Sequence, residues 1–186
     1  MRTQKRAMSK NTKIIPFDQK NKRIHLAVSI VAAIFLVMLY CVIFLFSEQD
    51  GATSGALSHE VSKWIVASWE KITHPAWTAD IRTSMIEYWE HPVRKLAHFS
   101  IYAVMGILVF LVWNPWMRKG FKKNILVIAW VFVSASLDEW HQTFVADRCG
   151  NFLDVLLDTS GGCFGLLLCM LCVRIYLSMR RKKGAV

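Results

Sequence analysis

Residues 24–46 read IHLAVSIVAAIFLVMLYCVIFLF, a run in which His25 is the only ionisable group. A helix rises 1.5 Å per residue and a bilayer's hydrocarbon core is about 30 Å thick, so this run predicts a membrane-spanning helix. The residues ahead of it are basic, as in a secretion signal. The apolar stretch is too long for one, however, and no small-residue cleavage site follows closely. It is read as a retained span.

The remainder of the chain agrees. Of 186 residues 54% are hydrophobic, too many for an ordinary soluble domain. Further spans are predicted at about Leu96–Trp113, at Ile125–Phe144 with a polar far end, and at Phe152–Val173 with a polar near end. The expected fold is therefore an all-α membrane protein with four transmembrane helices and an external interfacial amphipathic segment. Its parts are a basic N-terminus (1–23), the first span (24–46), a Trp-rich external segment (47–91), a three-helix membrane domain (92–177) and a basic tail (178–186).

Four spans put both termini on one side. Seventeen of the 23 Lys and Arg lie in residues 1–24, in the loop 118–123 and in residues 174–183, which predicts cytoplasmic termini. The net charge of +10 then reflects topology and attraction to anionic lipid rather than nucleic acid, and membrane lipid is the expected partner. Cys41, Cys163, Cys169 and Cys172 fall in predicted spans and only Cys149 lies outside, so no external disulfide framework is available.

The external segment starts with Gln49-Asp50-Gly51-Ala52-Thr53-Ser54-Gly55, a flexible-loop signal. An amphipathic helix is predicted from about Ser58, with Leu57, Val61, Trp64, Ile65, Ser68 and Ile72 on its apolar face. Trp64, Trp69, Trp77 and Trp89 suit an aromatic belt at headgroup level. Pro92 is expected in the first turn of the second span, where its missing N–H costs nothing.

The outer ends of the last three spans are polar where lipid-facing sequence would be apolar. Arg94, His98 and Tyr102 recur at intervals of four and make one stripe, with Gly106 below them. Asp138, Glu139, His141 and Gln142 end the third span; Arg148 lies in the following loop; Asp154 and Asp158 share a face of the fourth. Ionisable groups at such depth are functional candidates. Arg94 and Lys95, read as lying at a helix N-terminus, oppose its dipole and so call for an anion. Asn151 and Asp154 are spaced as a cap and its partner. Gly161-x-x-x-Gly165 has the spacing of a close helix-packing face.

Taken in order, Arg94-Lys95-x-x-His98-Phe99-x-x-Tyr102-x-x-x-Gly106, Asp138-Glu139-x-His141-Gln142-x-Phe144-x-x-x-Arg148 and Asp154-Val155-x-x-Asp158-x-x-Gly161 resemble the VanZ-like family of small bacterial membrane proteins. The resemblance covers about residues 92–177; the first span and the Trp-rich segment lie outside it. It implies a multi-pass protein of the bacterial cell membrane, associated with resistance to the glycopeptide teicoplanin, without implying a reaction. Some relatives carry Asn where this chain has Asp158, which makes this site more acidic.

Chemically, such a set suits an anionic cell-envelope lipid or glycan intermediate at the outer leaflet. Arg94, Lys95 and Arg148 would hold phosphate or carboxylate, with Tyr102, Gln142, Asp154 and Asp158 completing the binding groups. Glu139, His141 and His98 are the acid–base candidates, with Asp138 or Asp158 fixing an imidazole tautomer. No Ser or Cys beside the His residues offers a nucleophile, so whether the protein is an enzyme stays open. A cofactor is not specified, although His98, Glu139, His141, Asp154 and Asp158 could supply mixed ligands for Zn or Mn. The alternatives are a non-enzymatic scaffold whose polar groups form a structural network, a partner-docking protein, and a transporter.

Overall fold

The computed structural model describes residues 19–48, 51–73, 76–116, 120–146 and 148–183. Most of the predicted cytoplasmic N-terminus, Asp147 and the end of the basic tail lie outside them. The described residues form helices α1 (Gln19–Ser47), α2 (Gly51–Thr73), α3 (Ala79–Val112), α4 (Phe121–Gln142) and α5 (Phe152–Lys183), with no strand among them.

Among the described residues three helices are long and apolar enough to cross a membrane: the segments Lys22–Ser47, Ala79–Val112 and Phe152–Met179. α4, expected as a fourth span, is not among them. Its uncharged stretch is only Asn124–Leu137, because Lys122 and Lys123 occupy one end and Asp138 and Glu139 the other.

α1 is apolar on every side and turns only a narrow stripe inward, with Ser29, Ala32 and Leu36 buried and Phe35, Val37 and Leu45 exposed. Such a helix suits a lipid surround. Polar pairs seat it: Ser29 Oγ donates to the Val112 carbonyl at 2.7 Å, filling an acceptor left open at the end of α3. Tyr40 meets Ser134 Oγ at 2.6 Å and accepts from Trp130 Nε1 at 2.9 Å, tying α1 to α4.

α3 departs from the sequence reading. It starts at Ala79, capped by the Thr78 hydroxyl, which accepts from the Ile81 N–H, with Asp80 in the first turn where the dipole favours an acid. Pro92 therefore lies inside the helix rather than at its start. With 34 residues α3 is about 51 Å long, well beyond a hydrocarbon core of about 30 Å. A proline there removes one hydrogen bond and costs about 3 kcal/mol in an ordinary helix. Pro92→Ala is expected to raise the thermal midpoint of the purified protein by several degrees; a fall would show that neighbouring helices pack against the shape proline imposes.

α2 also begins earlier than predicted, at Gly51, so the expected loop through Gly55 is largely helical. It packs on α3, and the face it buries is Ser58, Ser62 and Val66. The apolar face read from the sequence points outward: Leu57, Val61 and Ile72 are exposed, and Trp64 is 72% exposed. Small residues at intervals of four let the two backbones approach, while the apolar groups are left for an interfacial surround. His59 with Glu90, and Arg82 with Glu70 at 3.2 Å, pair across the hairpin. Lys63 holds the exposed Glu60 carboxyl below its usual range.

α3 and α5 form the most extensive helix pair. A Cβ on Gly161 would meet the Phe99 carbonyl, one on Gly165 the Ala103 carbonyl, and one on Gly106 the Gly162 carbonyl. The interhelical distance is thus set by absent side chains, as the spacing of Gly161 and Gly165 predicts. Around this contact lies the core of Tyr102, Met105, Val109, Val127, Val131, Ala135, Val155 and Leu166.

Candidate functional site

The close approach of α3 and α5, with α4 laid against both, brings the middle of α3 to the end of α4 and the start of α5. Arg94 and Lys95 are well inside α3, so the dipole argument for an anion at a helix start does not apply to them. What holds Lys95 is Asp154, at 2.8 Å and half-buried. Asp154 does not complete a capping box; Asn151 caps α5 by accepting from the Leu153 N–H at 3.0 Å.

Asp138 is buried at the end of α4, where its Oδ2 accepts from the Tyr102 hydroxyl at 3.3 Å and from Gln142 Nε2 at 3.3 Å. Asp158, one turn into α5 beyond Asp154, is 0% exposed. His98 Nδ1 lies 3.5 Å from its Oδ2, and neither oxygen has a hydrogen-bond partner among the described residues. Burial without partners disfavours a carboxylate strongly, so Asp158 marks the site.

The predicted acid–base group divides. Glu139, also buried, accepts from the Asn151 N–H at 2.8 Å and so faces the loop between α4 and α5. That loop can come close only because Gly150 has no side chain; a Cβ there would meet the Glu139 carbonyl. His141 turns away toward α1, its ring 5.3 Å from that of Phe44, with Nδ1 buried and unbonded among the described residues. The metal set read from the sequence is corrected accordingly. Glu139, His141 and Asp154 are not in the cluster; among the described residues the donors that gather are His98, Asp138 and Asp158, all within 4.8 Å of one another.

Two cavities adjoin this cluster. One, of about 180 Å³, is mainly apolar, lined by Ile43 and Phe46 of α1, Leu57 and Val61 of α2, and Val93 and Ile101 of α3. The other, of about 160 Å³, is polar, lined by His91, Lys95, Glu139, Gln142, Asp154 and Asp158. Arg94, His98 and Arg148 line both. Arg148 Nη2 donates to the Phe46 carbonyl at 2.9 Å, anchoring the loop to the end of α1 where a cation suits the dipole. Arg94 has no hydrogen-bond or ion-pair partner among the described residues, and its Nε is buried. Its guanidinium lies close to Gly55 of α2, where a Cβ would come within 3.4 Å of Nη2.

The sequence reading thus finds the polar wall and misses the apolar one. Ile43 and Phe46 carry no chemical signature in an apolar chain, and Leu57 and Val61 are legible only as part of an amphipathic face. His91 alone had a signal, standing three residues before Arg94 on the same helix face.

A family model described as VanZ/LLP1 matches residues 32–173, from within α1 into α5. No curated protein and no solved structure matched the chain.

Proposed function

This chain belongs to the VanZ-like family, and we propose that it binds an anionic amphiphile of the bacterial cell envelope, a lipid or lipid-linked glycan intermediate, at the outer leaflet. One observation carries the reading: an apolar and a polar cavity meet at Arg94, a cation with no partner among the described residues. An acyl or prenyl tail belongs in the first cavity, because burying it there removes apolar surface from water. A phosphate or carboxylate belongs in the second, because guanidinium offers it paired charged hydrogen bonds. Lys95 and Gln142 lie around the head, Tyr102 lines the tail cavity beside Asp138, and Arg148 closes the site from the loop.

In this reading α4 is a fourth span whose polar ends reach both surfaces, both termini are cytoplasmic, and the site faces outward. His98, lining both cavities, is the group suited to move a proton should the ligand be processed. Protein purified in mild detergent is expected to retain phosphatidylglycerol and to release phosphatidylcholine in native mass spectrometry. Equal retention of the two lipids would contradict the reading. We link the site to glycopeptide tolerance: expression of the chain in a sensitive Gram-positive host should raise tolerance to teicoplanin.

A second reading, a scaffold with a structural polar network, draws on the internal pairs Lys95–Asp154, Tyr102–Asp138 and Arg148–Phe46. Glu139→Gln and His98→Ala, both at the wall of the polar cavity, separate the two. Loss of tolerance at unchanged abundance supports a binding site, whereas reduced folded protein supports the network.

A further inference from the structure

We propose that His98, Asp138 and Asp158 form a site for one divalent transition-metal ion of the Zn2+ or Mn2+ type, set in the partition between the two cavities. The three residues come from α3, α4 and α5, and their donor atoms lie within 4.8 Å of one another. Ligands at about 2.0–2.2 Å from an ion stand roughly 3–3.5 Å apart, so side-chain rotations of an ångström or so would close the group around it. His98 Nδ1 and Asp158 Oδ2 are already 3.5 Å apart.

The independent sign of a missing partner is Asp158. It is 0% exposed, and both carboxylate oxygens lack a hydrogen bond among the described residues. A second carboxylate, Asp138, is buried beside it at 8% exposure. Two buried acids repel one another and lose their hydration, and among the described residues no lysine is hydrogen-bonded to either, Lys95 being engaged by Asp154. A divalent cation would satisfy both acids at once.

The surroundings are arranged as outer support commonly is. Tyr102 and Gln142 both donate to Oδ2 of Asp138, which fixes the carboxylate and leaves Oδ1 free of hydrogen bonds among the described residues. One imidazole with two carboxylates suits Zn2+ or Mn2+ better than the all-oxygen preference of Ca2+ or Mg2+, or the thiolate preference of Cu(I). Three protein ligands leave a position open, and His98 borders both cavities, so a ligand oxygen could reach the ion.

The test is metal content after incubation of the detergent-purified full chain with Zn2+ alone or Mn2+ alone, followed by desalting. Near-stoichiometric binding is expected, Zn2+ tighter than Mn2+ and Mg2+ weakest, with a rise in thermal midpoint because the ion joins three helices. Asp158→Asn and, at the partly exposed ligand, His98→Gln should each weaken binding at least tenfold. His59→Gln, outside the cluster, should leave it unchanged. Negligible binding by the wild type, or equal binding by the wild type and His98→Gln, would overturn the site. Lipid retention measured on the same samples separates this proposal from the preceding one. Metal-free protein that keeps its anionic lipid overturns the metal alone; metal-bound protein that keeps none overturns the lipid reading alone.

Discussion

Arg94→Ala is expected to weaken binding of phosphatidylglycerol by about ten- to a hundredfold, with the thermal midpoint nearly unchanged. A hydrogen bond to a charged group contributes about 1.5–3 kcal/mol net, which converts to that range. Stability should hold because the guanidinium bonds to nothing among the described residues, so its removal breaks no internal pair. Arg94→Lys keeps the charge but loses the planar fork, and should recover only part of the affinity. Lys95→Ala should behave differently, because Lys95 already pairs with Asp154 at 2.8 Å and its loss frees an acid beside the polar cavity. Titration of lipid into nanodisc-embedded protein measures all three; unchanged affinity in Arg94→Ala would remove the cation from the site.

The double variant Gly161→Ala with Gly165→Ala should have the largest effect on folding. Alanine is the better helix former by about 1 kcal/mol at each position, so propensity alone predicts stabilisation. Packing predicts the reverse. Each new Cβ would press on a carbonyl of α3, at Phe99 and Ala103, and backbone cannot rotate aside as a side chain can. Overpacking costs about 1–3 kcal/mol per site, which over two sites on one interface offsets the propensity gain and leaves a net loss of up to about 4 kcal/mol. Separation of α3 from α5 would also pull His98 from Asp158. Thermal unfolding in detergent, with lipid retention, reads both consequences; a higher midpoint would show that α3 and α5 can part without loss.

Much of this was legible in the residues. The apolar run 24–46 gives α1, and the stripe of Arg94, His98 and Tyr102 does line one cavity wall. Gly161 and Gly165 carry their packing role in their spacing. The failures have physical causes. Pro92 reads as a helix start, yet the Thr78 cap starts α3 thirteen residues earlier and packing by α2 sustains it through the proline. The apolar pattern of α2 does not say which face packs on α3: serines allow closer backbones, so the inward face is Ser58, Ser62 and Val66. The stripe Ser58, Ser62, Val66 carries that signal, and it is weaker than Trp64 and Ile72 on a hydropathy scale. On α4 the spacing puts Glu139 on a different side from Asp138, His141 and Gln142, but it does not say which neighbouring element each meets. Asp138 faces Tyr102, Glu139 the loop at Asn151, and His141 the ring of Phe44.

The central claim is a single amphipathic site with its tail and head in adjoining cavities. Photo-crosslinking with phosphatidylglycerol carrying a diazirine in its acyl chain, followed by peptide mapping, tests it most directly. Labelling should concentrate on Ile43, Leu57, Val61 and Ile101 and fall sharply in Arg94→Ala. Labelling spread over the outward faces of α1 and α5, at residues such as Leu45 and Leu167, and indifferent to Arg94, would contradict it.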